Sequence, residues 1–468
     1  MNTILYSLIN DKGVQRKISI LELLNNNKDY MSSNSLAAYL ECSSRTILND
    51  IYELKRDLPE NWDISSIKSK GHKIIKPINE NINLIIYNYL KDSIIFKIMV
   101  GIFNGKHYTL EKWSQILFIN KTTLKSILQK FNKTLKMSRI KLTFRVLKLE
   151  GNEINIRYFY TLFFYLMESY TSEFYEKCLL RGKVKRIINS YDLQLNVNLF
   201  ANAIYVFVNR NVNKYNVKQQ IGANYRLDCK QLECFKEILS AIENHYKMKL
   251  SENEIQIFKL CFFLALKSNK TQKMEIFNYY NSQSNIYKIY NELFKTIEEE
   301  NQLNEFMKNK LIFELGVYIN KISILNHYHL PIQYLINRAV GPSKRFVKLY
   351  KKNYSIILKW NKLFNNEKFN KHEIEYLAMY VTLHLYSNPK KIYILLKFSG
   401  TTIEENGVYL SLKNKLGEAV EIHRRENREV RYDYIVANHI IEKTKTPVFN
   451  ISRNNNLKEI EAIGDKIM

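Results

Sequence analysis

Between residues 18 and 54 the apolar positions fall at helical spacing in three short runs. Ile18 to Leu24 predicts a first helix. Met31 to Leu40 predicts a second, with Leu36, Ala37 and Leu40 facing inward. Glu41-Cys42-Ser43 reads as a turn, and Ser43 is a good N-cap for a third helix, Ser44 to Leu54. In that helix Ile47, Ile51 and Leu54 recur at i, i+4 and i+7 and predict a buried stripe. Arg45, Asn49 and Tyr52 recur at the same spacing on another face, and Ser44 and Thr46 lie at the helix start. Beyond Pro59 the period changes. Ile64, Ile67, Ile74 and Ile75 flank Lys70-Gly71, which predicts a β-hairpin with Lys68, Lys70, His72 and Lys73 clustered at its tip.

The same plan then repeats. Ile94 to Phe103 predicts an apolar helix. Thr109 can cap Leu110 to Leu117, with Glu111 and Lys112 on its surface. Asn120 can cap Lys121 to Lys136, with Leu124, Ile127, Leu128 and Phe131 inside and Lys121, Thr122, Lys125 and Gln129 outside. Arg139 to Gly151 predicts a second hairpin, in which Ile140, Leu142 and Phe144 alternate with Lys141, Thr143 and Arg145. Helices closed by a hairpin, the last held by a buried stripe and opening on polar residues, have the plan of a winged helix-turn-helix. An ordinary helical hairpin is the bland alternative for one unit, and two in tandem weaken it. Arg45 can offer a bidentate fork to guanine or hold a phosphate, and the sequence leaves both open.

From Tyr158 to about Tyr386 the pattern is helical and rich in aromatics, with apolar helices at Phe200–Val208, Ile255–Leu266, Leu311–Ile324 and Ile374–Leu385. Glu254-Ile-Gln-Ile-Phe-Lys-Leu-Cys261 is echoed by Glu373-Ile-Glu-Tyr-Leu-Ala-Met-Tyr380, which predicts two similar helical modules. After Pro389 the pattern changes again. Lys391–Leu396, Ala419–His423, Asp433–Ala437 and Pro447–Ile451 read as strands, with helices at Val408–Leu416 and Leu457–Ile467. Strands alternating with helices predict a small parallel α/β domain. The fold class is therefore multidomain and mostly α.

Charge changes the picture by its position. The chain of 468 residues carries a formal net charge of +26, but its crowding of Asn, Lys, Ile and Tyr also fits codon bias in an AT-rich genome. Residues 1–150 hold 24 Lys and Arg against 13 Asp and Glu, a net of +11. Between Lys112 and Leu149 there are ten Lys and Arg and no acid at all. A one-sign block on a folded unit suits the phosphate backbone of double-stranded DNA. It suits a membrane surface poorly, because its apolar residues are spent on a core. No apolar run approaches the roughly 20 residues of a membrane span. Asp11, Lys12, Arg16 and Lys17 interrupt the N-terminal apolar positions too early for a signal peptide. Cys42, Cys178, Cys229, Cys234 and Cys261 are odd in number and form no CxxC pair, so neither a disulfide framework nor a zinc site is expected. There is no GxGxxG, P-loop or nucleophile motif. A cytoplasmic, non-enzymatic protein without cofactor or metal is the expectation.

This order of parts resembles the Mga/AtxA family of regulators of Gram-positive bacteria. The likeness is carried by Ser43-Ser-Arg-Thr-Ile-Leu-Asn-Asp-Ile51, by Glu373–Tyr380 and by Lys390-Lys-Ile-Tyr-Ile-Leu. It implies winged helix-turn-helix domains over residues 1–80 and 81–155. It implies two phosphotransferase-system regulation domains (PRDs) over 156–275 and 276–389, and an enzyme IIB-like domain over 390–468. It further implies a homodimeric transcription activator, often of virulence genes, whose PRDs receive phosphate on histidine from phosphocarrier proteins. Several residues depart from the pattern. Cys261 and Tyr380 stand where PRD helices commonly carry His, seven residues after Glu254 and Glu373. Glu314 stands where a His is looked for in the second PRD, and the first PRD has only His245. His384, one turn beyond Tyr380, is the candidate substitute, with a packed core histidine as the alternative. Phe398-Ser-Gly-Thr-Thr402 lacks the phosphocysteine of enzyme IIB. Two other functions compete. Tandem winged helices argue against an RNA-binding antiterminator, and the missing Cys argues against a phosphotransferase component.

Overall fold

The computed structural model describes residues 3–173, 177–218, 227–267, 284–301, 303, 305–332, 346–366, 368–387, 392–417, 420–427, 429–441, 444–452 and 457–467. The chain opens with α1 (Thr3–Leu8), α2 (Lys12–Asn26), α3 (Ser33–Tyr39) and α4 (Ser44–Asp57), followed by β1 (Asp63–Ile67) and β2 (Gly71–Ile75). Asp11 caps α2 by accepting from the Gly13 and Val14 amides at 2.6 and 3.1 Å. Ser43 caps α4 by accepting from the Thr46 amide at 3.1 Å, as its residue type and place predict. Ile18, Leu21, Leu36, Ile47, Ile51 and Leu54 are buried together. The hydrophobic pattern gives no hint that Asp50, on the same inner face of α4, is buried too. It is held by the Arg16 guanidinium of α2 through both carboxylate oxygens.

The wing is fastened to the chain ahead of α3. The Met31 amide donates to the His72 carbonyl at 2.9 Å, and the His72 amide donates to the Met31 carbonyl at 2.8 Å. At this close approach Gly71 has φ +106°, and a Cβ there would lie 2.2 Å from the Met31 carbonyl oxygen. Only glycine fits.

The second unit comprises α5 (Asn83–Asp92), α6 (Ile94–Phe103), α7 (Leu110–Ile116), α8 (Lys121–Leu135), β3 (Lys141–Leu142) and β4 (Leu149–Glu150). It repeats the first at an offset of 77 residues. Leu36, Leu40, Ser43, Ile47, Ile51 and Leu54 correspond to Trp113, Leu117, Asn120, Leu124, Leu128 and Phe131. Glu41 and Phe118, at matching places in the two turns, both have φ +51°. Thr109 and Asn120 cap their helices by accepting from Lys112 and Thr122 amides at 3.2 and 2.8 Å. The hairpin is shorter than its alternation suggests. Only Lys141 with Glu150 and Leu142 with Leu149 pair, because Thr143 turns its hydroxyl onto the Val146 carbonyl at 2.6 Å and closes the loop. Phe144 thus lies in a loop, and Ile127 is half-buried rather than central. The two units share one core. α1 lies against α6 and α8, and the Ser93 hydroxyl donates to the Leu8 carbonyl.

Helix α9 (Glu153–Met167) buries Ile156, Phe159 and Phe163 in this core and also packs on α11 (Val197–Val212), which stands with α10 (Arg181–Ser190), α12 (Cys229–Tyr246) and α13 (Glu252–Ala265). Phe200, Phe235, Phe258 and Phe262 pack ring on ring at the centre of that module. Where α9, α11 and α13 meet, two arginines and two glutamates are enclosed. Arg157 donates to Glu254 at 2.5 and 3.1 Å and to Glu153 at 3.0 Å, and Arg210 donates to Glu153 at 2.8 and 2.6 Å. The Val217 amide completes the Glu254 carboxylate at 2.8 Å. The predicted echo of Glu254 by Glu373 holds in burial, since both are 1% exposed. Their partners differ, because Glu373 accepts from the Asn326 side chain at 3.0 Å and the Asn370 amide at 2.7 Å.

The later helices are α14 (Ser284–Asn301), α15 (Glu305–His327), α16 (Val347–Leu363) and α17 (Lys371–Ser387). The chain divides into two compact units, and α15 and α17 each contribute to both. The C-terminal part holds β5 (Ile392–Lys397), α18 (Thr402–Leu416), β6 (Val420–His423), β7 (Tyr434–Ala437), β8 (Val448–Asn450) and α19 (Leu457–Ile467). All its strand pairs are parallel, in the order β6-β5-β7-β8, as the alternation of strands and helices predicts. Ile394, Leu396, Val408, Leu412, Ile422, Val436 and Ile463 form its core. Lys391 and Ala419, expected at strand starts, lie outside the described residues.

Candidate nucleic-acid interface

The two units leave their third helices uncovered on one side. On α4 the stripe Ile47, Ile51 and Leu54 is sunk into the core, so Arg45, Asn49 and Tyr52 face solvent as expected. Leu48 is half-exposed beside them and was not singled out by periodicity, although it lies between the two predicted faces. Ser44 and Thr46 are half-buried and already engaged. The Ser44 hydroxyl donates to the Asn34 side-chain oxygen at 2.6 Å, and Thr46 shares a hydrogen bond with Ser43 at 2.8 Å. They brace the start of α4 and leave Arg45 as its free cation.

On the first wing Lys68 and Lys70 are exposed at the tip, and Lys73 is half-buried with its ammonium over the Tyr30 ring. His72, expected beside them, is buried instead. It sits between the Ser33 and Ser66 hydroxyls at 2.8 Å each, and burial holds its pKa below the ordinary histidine value. The residue alternation of a strand explains this. In β2, His72 and Ile74 turn to the core while Lys73 and Ile75 turn outward. His72 fastens the wing and is not available to a phosphate.

On α8, Lys121, Thr122, Lys125 and Gln129 are exposed, and Arg145 is exposed in the second wing. Lys121 forms an ion pair with Glu111 at 3.0 Å, so part of its charge is satisfied within the protein. The exposed face thus offers forked and point cations at the helix starts and wing tips, with an otherwise acid-free surface between residues 112 and 149. Among the described residues no group of three or more His, Cys, Asp and Glu is placed to hold a metal, and no helix is long and apolar enough to cross a membrane.

Residues 16–73 match a helix-turn-helix domain, and residues 78–164 match the Mga helix-turn-helix domain. Over 94% of its length the chain is 23% identical to the capsule synthesis positive regulator AcpB of Bacillus anthracis, covering 96% of that protein. It is 22% identical to the anthrax toxin expression trans-acting positive regulator of Bacillus anthracis, over 93% of this chain and 94% of that one. Over nearly its whole length the chain is thus similar to positive regulators of this kind, and its match to the Mga helix-turn-helix domain agrees with the resemblance to the Mga/AtxA family. A putative trans-acting regulator of Streptococcus pneumoniae is 27% identical over 154 residues, covering 33% of this chain and 31% of that protein.

The residues through which the family resemblance implies phosphate control differ in exposure. Cys261 is half-buried and its thiol is pushed up to about 12 by burial, which keeps it a thiol at neutral pH. Tyr380 is half-buried and His384 is buried on α17. The Glu314 side chain lies outside the described residues. His245, His327, His329 and His372 are exposed. After β5, the Ser399 amide donates to the Asn438 side chain at 2.7 Å and the Asn438 amide returns to the Ser399 carbonyl at 2.8 Å. The Thr401 amide donates to the Glu404 carboxylate at 2.6 Å. A carboxylate therefore occupies the start of α18, where a phosphoryl group would need unpaired amides.

Proposed function

We propose that this protein is a DNA-binding transcription activator of the kind that controls virulence or plasmid-borne genes, reading duplex DNA with α4 and α8 and their wings. The observation that carries this is the pair of third helices, 77 residues apart in register, each sunk on its apolar stripe and opening outward on Arg45, Asn49 and Tyr52 or on Lys121, Thr122, Lys125 and Gln129. Lys70, Lys73 and Arg145 add backbone contacts, with Ser44 and Thr46 bracing the first helix. The names of the relatives, positive regulators of capsule synthesis and toxin expression, support activation as the outcome.

The finer assignments belong to the same proposal. Residues 1–80 and 81–155 are the winged units, 156–275 and 276–389 the two PRDs, and 390–468 an enzyme IIB-like domain retained for homodimerisation. A cyclic dimer would present two copies of the tandem DNA-binding units, as a paired site demands. Phosphocarrier proteins act weakly on this chain or through a rerouted residue such as His384. The protein works in the cytoplasm.

DNA binding at several salt concentrations tests the core of this. Arg45→Ala should weaken binding by the roughly 1–3 kcal/mol of one good base contact without unfolding the chain. Changing Lys125 and Arg145 to Ala should flatten log affinity against log salt by about 0.9 per lost phosphate contact, and adding Lys121→Ala by less, given its bond to Glu111. Unchanged affinity and slope in all of them would refute the assignment of these faces to DNA.

A further inference from the structure

We propose that Phe118 makes an apolar contact with duplex DNA at the rim of the groove that α8 enters. This rests on the reading of the second unit as DNA-binding and adds to it a residue that neither the charge pattern nor the helical periodicity selects.

Phe118 is placed where a phenylalanine is disfavoured twice over. It lies in the turn between α7 and α8 with φ +51°, the left-handed region that bulky side chains avoid. Its side chain is 97% exposed, so the fold returns nothing for it. Eight non-glycine residues have positive φ among the described residues. Seven are polar or charged: Glu41, Arg139, Asp192, Lys214, Lys247, His329 and Asn366. Phe118 alone is apolar. Its counterpart in the first unit is Glu41, which shows that the turn itself has no need of an aromatic ring. Backbone strain combined with an unburied ring points to a partner outside the chain.

The surroundings say which partner. Phe118 stands two residues before the Asn120 cap, at the same end of α8 as exposed Lys121, Thr122 and Lys125, inside the block without acids. Protein interfaces deplete charge around their apolar centre. A single ring at the end of a helix that carries Lys121, paired with Glu111, and Lys125 instead matches a surface that is anionic and carries small apolar spots. Duplex DNA is such a surface, with thymine methyl groups in the major groove and deoxyribose carbons along its edge.

Phe118→Gly tests this cleanly, because glycine keeps the turn and relieves the strain. The full chain, the Phe118→Gly variant and a Lys125→Ala/Arg145→Ala control would be titrated against an AT-rich duplex of about 30 base pairs, long enough for both units. A second duplex would carry deoxyuridine for thymine. The expected result is an unchanged or higher melting temperature for Phe118→Gly with about tenfold weaker binding to the thymine duplex. If the parent also loses affinity on the uracil duplex and Phe118→Gly does not, the contact is to thymine methyl. If both duplexes give the same loss, it is to the sugar edge. Binding by Phe118→Gly equal to the parent, while the Lys125/Arg145 control weakens, overturns the inference and leaves the DNA-binding reading intact. Parental binding with lost promoter activation overturns it in favour of a protein partner. If the control binds like the parent as well, the DNA-binding reading of this face falls and the inference with it.

Discussion

Removing the carboxylate of Glu254 should be among the most damaging single changes in the helical module. Four charged side chains lie together where α9, α11 and α13 meet, and their exposures are 4% for Arg157, 6% for Arg210, 12% for Glu153 and 2% for Glu254. Two positive and two negative groups balance there. Glu254→Gln preserves shape but leaves Arg157 and Arg210 sharing Glu153 alone, and it turns an amide donor toward the Arg157 donors, which now approach to 2.5 and 3.1 Å. Removing one partner of a buried pair costs about 3–5 kcal/mol, because the other charge stays enclosed. At the size of this module, that corresponds to a fall in melting temperature of roughly 13–20 °C. Replacing both residues, as Arg157→Met with Glu254→Leu, removes the uncompensated charge and should recover most of the loss. Urea unfolding of the parent, both single variants and the double variant gives the cycle, and amide exchange in α9 and α13 locates it. A loss under about 1 kcal/mol for Glu254→Gln, or a double variant worse than either single one, would refute the claim that charge balance holds these helices together.

Three further outcomes are expected. His72 has its pKa depressed by burial, so the unfolded chain binds that proton first as pH falls. Stability should therefore decline from about pH 6.5 downward until the folded imidazole also protonates, and His72→Asn should lose that part of the dependence in unfolding at pH 7.5 and 5.5. Light scattering should find the full chain dimeric and a chain ending near Pro389 monomeric; equal states for both would mean that residues 390–468 are not the principal dimer contact. Incubation with phosphocarrier proteins and labelled phosphoenolpyruvate should leave the protein unlabelled or nearly so, whereas acid-labile label abolished by His384→Ala would make His384 the switch.

The helix-turn-helix units were legible because three local signals agree at each: a buried stripe at i, i+4, i+7, a side-chain cap at Ser43 or Asn120, and a hairpin after the third helix. The parallel C-terminal sheet was legible for a similar reason, since short apolar runs alternate there with capped helices. What could not be read are pairings between distant parts of the chain. Asp50 with Arg16, His72 between Ser33 and Ser66, and Arg157 with Glu254 are polar residues turned inward toward partners 34, 39 and 97 positions away. No local period marks such a partner, and a histidine among lysines at a wing tip looks like one more cation. Helix α5 was missed because Asn83–Asp92 opens without a side-chain cap. Phe118 was missed for the opposite reason, since a lone apolar residue in a turn reads as core.

On the proposed function, the shared core of the two winged units fixes how they meet a duplex. α1 precedes the first unit in sequence but is seated on α6 and α8 of the second, while Tyr89 of α5 donates to Asp57 at the end of α4. The pair is stitched in both directions through this core. On the proposed reading, units joined in this way act as a caliper, set to one separation and one angle around the helix axis. A single base pair inserted between the two contacted segments would turn one of them by about 34° away from its helix. A caliper cannot follow that rotation, so distance along the DNA is itself part of what such a protein recognises, alongside the bases under each helix.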